Sequence, residues 1–374
     1  MARSARETVA RLLATADVRI DGERPWDLQV HDQRVFGRTL GSGSLGLGEA
    51  YMDGLWDCRS LDQLFEKLLE ANLEHQIRRN IPALINALRF RLFNLQSRRR
   101  AFQVGQRHYD ADNELFTLML DRRMTYSCGY WREADNLDKA QEAKLHLICR
   151  KLGLKPGMRL LDIGCGWGSL VEYAAREFGV EAVGITVSRE QAELARTRCE
   201  GLPVEIRLED YRSLQGSYDR IASVGMVEHV GWRNYRRFMR IAHRCLRPGG
   251  LFLLHTIGSR VSRRGVDPWI ERHIFPNGML PSLAQLSRAA EGLFLVEDVH
   301  NFGPDYDRTL MAWEANIREA RDEIRGRHGQ RFYRMWRYYL LSCAAAFRVR
   351  HIQLYQLLLS SPPLRGQPPG ARER

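Results

Sequence analysis

From about residue 138 onward the chain alternates helical and strand patterns, and that alternation narrows the possible folds more than any other feature. "LDKAQEAKLHLICRKLGL" has helical periodicity and stops at the Lys155-Pro156-Gly157 turn. After it come the strand "MRLLDIG", the helix "SLVEYAAREFG", the strand "VEAVGITVS" and the helix "REQAELARTRCE". The strands "VEIRLED" and "YDRIASVG", the helix "WRNYRRFMRIAHRCL" and the strand "LFLLHTIG" complete the run. Strands this apolar must be covered on both faces, which a doubly wound, mostly parallel α/β sheet achieves with its crossover helices. "LFLVEDVH" and "HIQLYQLLLS" are candidate late strands, with long helices between about 307 and 346.

The first strand runs straight into "LLDIGCGWGS", where Asp162, Gly164, Gly166 and Gly168 form D-x-G-x-G-x-G ahead of a helix. Glycines there let the backbone turn sharply and approach a ligand in the crevice beyond the carboxyl ends of the strands. Alone, such a turn is open to NAD, FAD or S-adenosylmethionine. The spacing differs from the dinucleotide G-x-G-x-x-G, which favours S-adenosylmethionine. The second strand ends in Thr186 instead of the acid that grips a ribose. That weakens NAD, and it also departs from the commonest methyltransferase pattern. Asp210, after the third strand, is placed to accept a hydrogen bond from an adenine amino group. "MTYSCGYWREADNL" (124–137) precedes the first strand and can cover the cofactor. "SVGMVEHVG" (223–231) carries Glu228 and His229, and "LLHTIGS" (253–259) carries His255. All three segments converge on the carboxyl edge of the sheet, and "NFGPDYDRTLMAW" (301–313) adds Tyr306.

The first hundred residues read differently. A helix over about 4–16 leads into the strand-like "VRIDG" and "PWDLQVHD", then the glycine-rich "TLGSGSLGLGEAYMDGLWDC" (39–58) and a helix near 60–77. "IPALINALRFRLFNLQSRRR" (81–100) is an amphipathic helix with arginines, suited either to an anionic lipid surface or to packing on its own domain. A length of 374 residues makes two domains the expectation, and a net charge of +12 suits a nucleic acid or an anionic bilayer. The seven cysteines form no CxxC pair, and the odd number argues against a disulfide framework. No signal-peptide core and no run of eighteen apolar residues occurs, so the expected location is cytoplasmic, with any membrane met from its surface. The tail after 361 reads as disordered.

"YSCGYW", "LDIGCGWG", "SVGMVEHVG", "LLHTIGS", "VDPWIERHIFPNGMLPS" and "HNFGPDYDRTLMAW" together closely resemble the cyclopropane-fatty-acyl-phospholipid synthases. "SLGLGEAYMDGLWDC" resembles the N-terminal domain of the longer bacterial enzymes, which the shorter mycolic-acid cyclopropane synthases lack. The resemblance implies a Rossmann-like S-adenosylmethionine-dependent methyltransferase domain over 101–361. Before it, a smaller, mainly helical domain over 1–100 helps lipid engagement and dimer formation, and a disordered tail covers 362–374. It implies methyl transfer to the cis double bond of a phospholipid acyl chain in a bilayer, followed by proton loss and ring closure, with bicarbonate as base. The implied partners of that base are Glu228, His255 and Tyr306, with backbone amides of Cys128 and Ile257. Cofactor contacts fall on Tyr126, Ser127, Asp162, Gly164, Gly166, Gly168, Thr186, Gln191 and Asp210. Tyr126 and Trp131 offer π-faces to a cation, and Glu297 has a supporting role. Cys343 matches a family cysteine once considered as a nucleophile, although its apolar helix favours core packing. The resemblance further implies a homodimer peripherally associated with the membrane, no metal and no nucleic acid. The competing readings are an RNA or small-molecule methyltransferase, a relative that leaves a methyl branch, and a non-catalytic membrane binder.

Overall fold

The computed structural model describes residues 5–71, 113–263, 265–362 and 366. The amphipathic stretch 81–100 and nearly all of the tail therefore lie outside the described residues. The N-terminal part comprises α1 (Ala5–Thr15), β1 (Gln29–Val30), α2 (Arg34–Ser42), α3 (Ser44–Met52), β2 (Trp56–Asp57) and α4 (Leu61–Glu70). The two strand-like pieces shrink to β1, paired antiparallel with β2, and a single bridge between Ile20 and Leu28. The reason is Asp27, which is buried and accepts from the backbone N–H groups of Arg19 and Arg24, so a side chain takes donors that a strand ladder would use. The glycine-rich segment is helical. A Cβ on Gly46 would fall 2.0 Å from the Arg38 carbonyl oxygen, so glycine lets α3 press on the backbone of α2.

The alternating part follows the expected order. It runs α5 (Asn113–Met119), α6 (Leu137–Lys151), β3 (Arg159–Ile163), α7 (Ser169–Phe178), β4 (Glu181–Thr186), α8 (Arg189–Arg198), β5 (Val204–Leu208), β6 (Tyr218–Val224), α9 (Tyr235–Cys245) and β7 (Leu246–Ser259). Capping fixes several starts: the Asn136 side chain accepts from Lys139 N–H to open α6, and Ser188 accepts from Gln191 N–H to open α8. The chain ends with α10 (Pro268–His273), α11 (Leu283–Ala290), β8 (Leu295–Asn301), α12 (Gly303–Glu319), α13 (Arg321–Arg348) and β9 (Ile352–Ser360).

Seven strands form one sheet in the order β5-β4-β3-β6-β7-β9-β8. The β5-β4-β3-β6-β7 pairs are parallel, and β9 runs antiparallel to both β7 and β8. This is the expected doubly wound α/β sheet, with the change of winding direction beside β3. Strand residues alternate between two cores. Leu161, Phe252 and Leu359 pack on one face with α9 and α11, while Leu160, Leu253 and Leu358 pack on the other with α6, α7 and α8.

The described residues fall into two compact units, and neither is continuous in sequence. One combines the N-terminal helices with Gly265–Pro276 and Tyr306–His351; the other holds the sheet, up to Arg264, with Asn277–Asp305 and the chain from Ile352. A single boundary near residue 100 therefore does not describe the packing: α10 and α13 contact α3, and α13 contacts α4. Within this unit Arg348 of α13 binds Asp62 and Glu66 of α4 and also Asp307. No helix among the described residues is long and apolar enough to cross a membrane.

Candidate active site

The turn after β3 is built on backbone that favours glycine. Gly164, Gly166 and Gly168 have φ of 95°, 53° and 85°. The N–H groups of Gly164 and Cys165 donate to the Ile185 carbonyl, tying the turn to β4. A Cβ on Gly164 would lie 2.9 Å from the Met226 side chain, whereas one on Gly166 would meet nothing within 4 Å. The turn thus packs tightly on one side and presents bare backbone on another, which fits the close approach of a ligand. Beneath it Asp162 is buried, and burial pushes its carboxyl up to about 7, with Lys144 drawing it back. Its Oδ1 has no hydrogen-bond partner. At the end of β4 Thr186 Oγ1 donates to Gln191 Oε1 at 2.7 Å, so two expected cofactor residues form one buried pair. Asp210 follows β5 and is paired locally. Oδ1 accepts from Arg212 N–H and Oδ2 from Arg212 Nη1, both at 2.8 Å, so each oxygen already serves a turn-closing contact.

The segment 124–131 is laced to α6. The Gln141 amide donates to the carbonyls of Thr125 (3.2 Å) and Ser127 (2.7 Å), and Lys144 Nζ donates to Ser127 Oγ at 2.8 Å. Tyr130 N–H donates to the Ala140 carbonyl, and Trp131 N–H donates to Asp305 Oδ2. Tyr126 packs edge-on against Phe116, centroids 5.0 Å apart. Lys144 is 1% exposed, and burial pulls its ammonium down to about 8 against the opposing pull of Asp121, Cys128 and Asp162. Cys128 is fully buried, and its Sγ lies 3.1 Å from the Gly129 carbonyl.

Glu228 sits on a single 3-10 turn after β6, and His255 on β7 opposite Val224. Glu228 Oε1 accepts from Ile257 N–H at 2.7 Å, which draws the carboxylate onto the β7 backbone two residues past His255. Burial pushes Glu228 up to about 7, although this backbone donor opposes the shift. Burial, reinforced by Lys144, Lys151 and His300, holds His255 well below the ordinary histidine value, so the ring is neutral. Its Nδ1 lies 3.2 Å from Gln356 Nε2. Glu228 Oε2 and His255 Nε2 are both buried without a hydrogen-bond partner. One carboxyl oxygen and one ring nitrogen, on the turn after β6 and on the neighbouring strand β7, are thus left for a ligand to satisfy. Burial also lowers His229 to about 4, so this neighbour carries no charge.

Four further residues of the expected set have these surroundings. The Ile257 amide, expected to face an anion, donates to Glu228 Oε1. Glu297 accepts from Ser360 Oγ, and Ser360 pairs with Leu251, four residues below His255 on β7. At about 3.3 Å per residue that places its bond roughly 13 Å along the sheet from the His255 level. Tyr306 belongs to the other compact unit, where its ring packs on Phe347 at 4.5 Å. Cys343 lies in that unit too, and burial pushes its thiol up to about 12, which favours the packing role over a nucleophile.

The sequence reading missed Gln141, Lys144, Lys151 and Gln356. Gln141, Lys144, Ile148 and Lys151 lie three or four residues apart on α6, and all are buried. Lys151 Nζ lies 3.1 Å from His300 Nδ1 and 3.3 Å from Asp298 Oδ2. The available signal was a long polar side chain recurring at apolar helical positions, and, for Gln356, a polar residue inside an otherwise apolar strand.

The profile of the mycolic acid cyclopropane synthetase family matches residues 96–357. A cyclopropane-fatty-acyl-phospholipid synthase of Escherichia coli (strain K12) is 53% identical over 349 residues, 93% of this chain and 91% of its own length. A tuberculostearic acid methyltransferase of Mycobacterium tuberculosis (strain ATCC 25618 / H37Rv) is 32% identical over 361 residues, 90% of this chain and 84% of its own. The crystal structure of mycolic acid cyclopropane synthase CmaA1, complexed with SAH and CTAB, superposes with a TM-score of 0.65 at 34% identity, covering 70% of this chain and 98% of that one. With that match, that identity and the sheet order above, the chain belongs to the mycolic acid cyclopropane synthetase family, a branch of the S-adenosylmethionine-dependent methyltransferases.

Proposed function

We propose that this protein is a cyclopropane-fatty-acyl-phospholipid synthase acting on cis-unsaturated acyl chains at a bilayer surface. The reaction moves a methyl group from sulfur to one alkene carbon, then removes a proton from that methyl as the second carbon–carbon bond closes the ring. S-adenosylmethionine, when bound, supplies the methyl as a sulfonium-activated electrophile. Bicarbonate, when bound, supplies the base.

The observation that carries this reading is the pair of orphaned buried atoms, Glu228 Oε2 and His255 Nε2. An anion that also bears an acidic hydroxyl suits both: the Glu228 carboxylate accepts from the hydroxyl, and a His255 N–H donates to an anionic oxygen. An ordinary carboxylate ligand would leave Glu228 facing like charge. The glycine turn offers backbone to the cofactor, and Lys144 and Gln141 hold the 124–131 segment that covers it. Burial around Glu228 and His255 keeps water from the positive charge that develops on the acyl chain. The excess of Lys and Arg supports attraction to anionic head groups.

Incubation with S-adenosylmethionine and vesicles of cis-unsaturated phosphatidylglycerol tests the proposal. The expected product shows the upfield proton resonances of a cyclopropane ring. A methyl-branched chain without those resonances replaces the proposal with a second reading, which the similarity to the tuberculostearic acid methyltransferase favours.

A further inference from the structure

His255 has one proton to place. A neutral imidazole carries a single N–H, and the unpartnered Nε2 is a donor only if that proton sits on it. What fixes it is on the neighbouring strand. His255 of β7, Gln356 of β9 and His300 of β8 are consecutive cross-strand partners at one level of the sheet. On the same sheet face, the rows below are the apolar Leu253 and Leu358. On β7 and β9 the polar pair His255 and Gln356 therefore follows an apolar row, while β8 is polar at both levels, with His300 beside Gln356 and Asp298 beside Leu358.

Gln356 is fully buried, and its Nε2 points at His255 Nδ1 at 3.2 Å. An amide nitrogen can only donate, so in this orientation Nδ1 accepts and the ring proton sits on Nε2. Lys151, itself 1% exposed, reaches His300 Nδ1 and Asp298 at the far end of the ladder. Its charge adds to that of Lys144 in opposing a second proton on His255.

We propose that Gln356 is a positioning residue that holds His255 as the Nε2–H tautomer and so makes the ring a hydrogen-bond donor toward the reacting centre. The catalytic consequence rests on the function proposed above, whereas the tautomer rests on the orientation of the Gln356 amide, which turns Nε2 to the ring and leaves Oε1 without a partner. Direct readout comes from nitrogen NMR of the full chain labelled with 15N-histidine. The His255 signals are those, among eleven histidines, that disappear in His255→Gln. The expected spectrum shows a pyridine-type Nδ1 and a pyrrole-type Nε2. A pyrrole-type Nδ1 would overturn the proposal.

Gln356→Met keeps the length and removes the donor. It is expected to lower kcat about tenfold, the loss of one neutral hydrogen bond of about 1 to 1.5 kcal/mol. KM for both substrates should stay within about twofold, and the His255 nitrogens should shift toward tautomer averaging. Gln356→Asn, which retains an amide, should recover part of kcat only if it restores the pyridine-type Nδ1. An unchanged kcat alongside a changed tautomer would refute the catalytic role. If no substrate pair gives any product with the unaltered chain, the functional reading fails while the NMR result still decides the tautomer.

Discussion

Replacing Glu228 by Gln should make the protein more stable as pH rises, relative to the parent, while abolishing turnover. Glu228 is 8% exposed, and burial raises its carboxyl from 4.5 to about 7. Below pH 4.5 both folded and unfolded chains hold the proton, and Glu228 makes no pH-dependent contribution. Between pH 4.5 and 7 the unfolded chain gives up that proton before the folded one does, so ionisation progressively favours unfolding. Above pH 7 the destabilisation is complete, at roughly 3 kcal/mol for a shift of this size. The amide of the Glu228→Gln variant would keep an acceptor for Ile257 N–H without a charge to bury. The stability of Glu228→Gln minus that of the parent should therefore grow by about 2 to 3 kcal/mol between pH 5 and pH 8. In thermal unfolding followed by calorimetry this is a relative gain of roughly 5 to 10 °C for a domain of 150–250 residues. Because Asp162 is also raised to about 7, only the difference between variant and parent isolates Glu228. A difference that is flat from pH 5 to 8 would refute the reasoning, because Glu228 would then not be a carboxyl strained by burial. Turnover should fall at least a hundredfold, the cost of losing one charge-assisted acceptor in a water-excluded site.

Three other substitutions probe the frame. Lys144→Met removes the bond to Ser127, worth about 1.5 to 3 kcal/mol for a charged donor, and should weaken S-adenosylhomocysteine binding in calorimetric titration roughly ten- to a hundredfold. Gly48→Ala puts a Cβ 2.4 Å from the ring of Trp269, a residue 1% exposed, and should destabilise its own unit by about 1 to 3 kcal/mol in urea unfolding. Cys343→Ala should leave turnover within about twofold, since its thiol stays protonated at physiological pH.

The sheet was legible because each crossover helix and strand carries its own period and its own punctuation, from Pro156 before β3 to the Ser188 cap of α8. The glycine turn was legible because three positive φ values leave few other residues possible. Other parts depend on contacts between distant segments. Glycines at 46 and 48 look like loop in sequence, and become helix because Arg38 and Trp269 need their space. The packing of α13 on α3 and α4 cannot be read from either stretch alone, because neither shows which apolar face will cover it. The surroundings of Glu297 were not legible for a similar reason: its strand was recognisable, but its bond to Ser360, which sets its level in the sheet, was not. Gln356 was invisible as a partner of His255 because 101 residues separate them and only the β7–β9 pairing joins them.

The central claim is that a transferred methyl loses one proton to a base held by Glu228 and His255. The most direct test uses S-adenosylmethionine bearing a fully deuterated methyl group, with vesicles of cis-unsaturated phospholipid. Mass spectrometry of the isolated acyl chain, with ring protons verified by NMR in an unlabelled parallel reaction, counts what remains. A cyclopropane that keeps two of the three deuterons is the predicted product. A chain that retains all three would mean that no proton leaves the methyl, and would contradict the account.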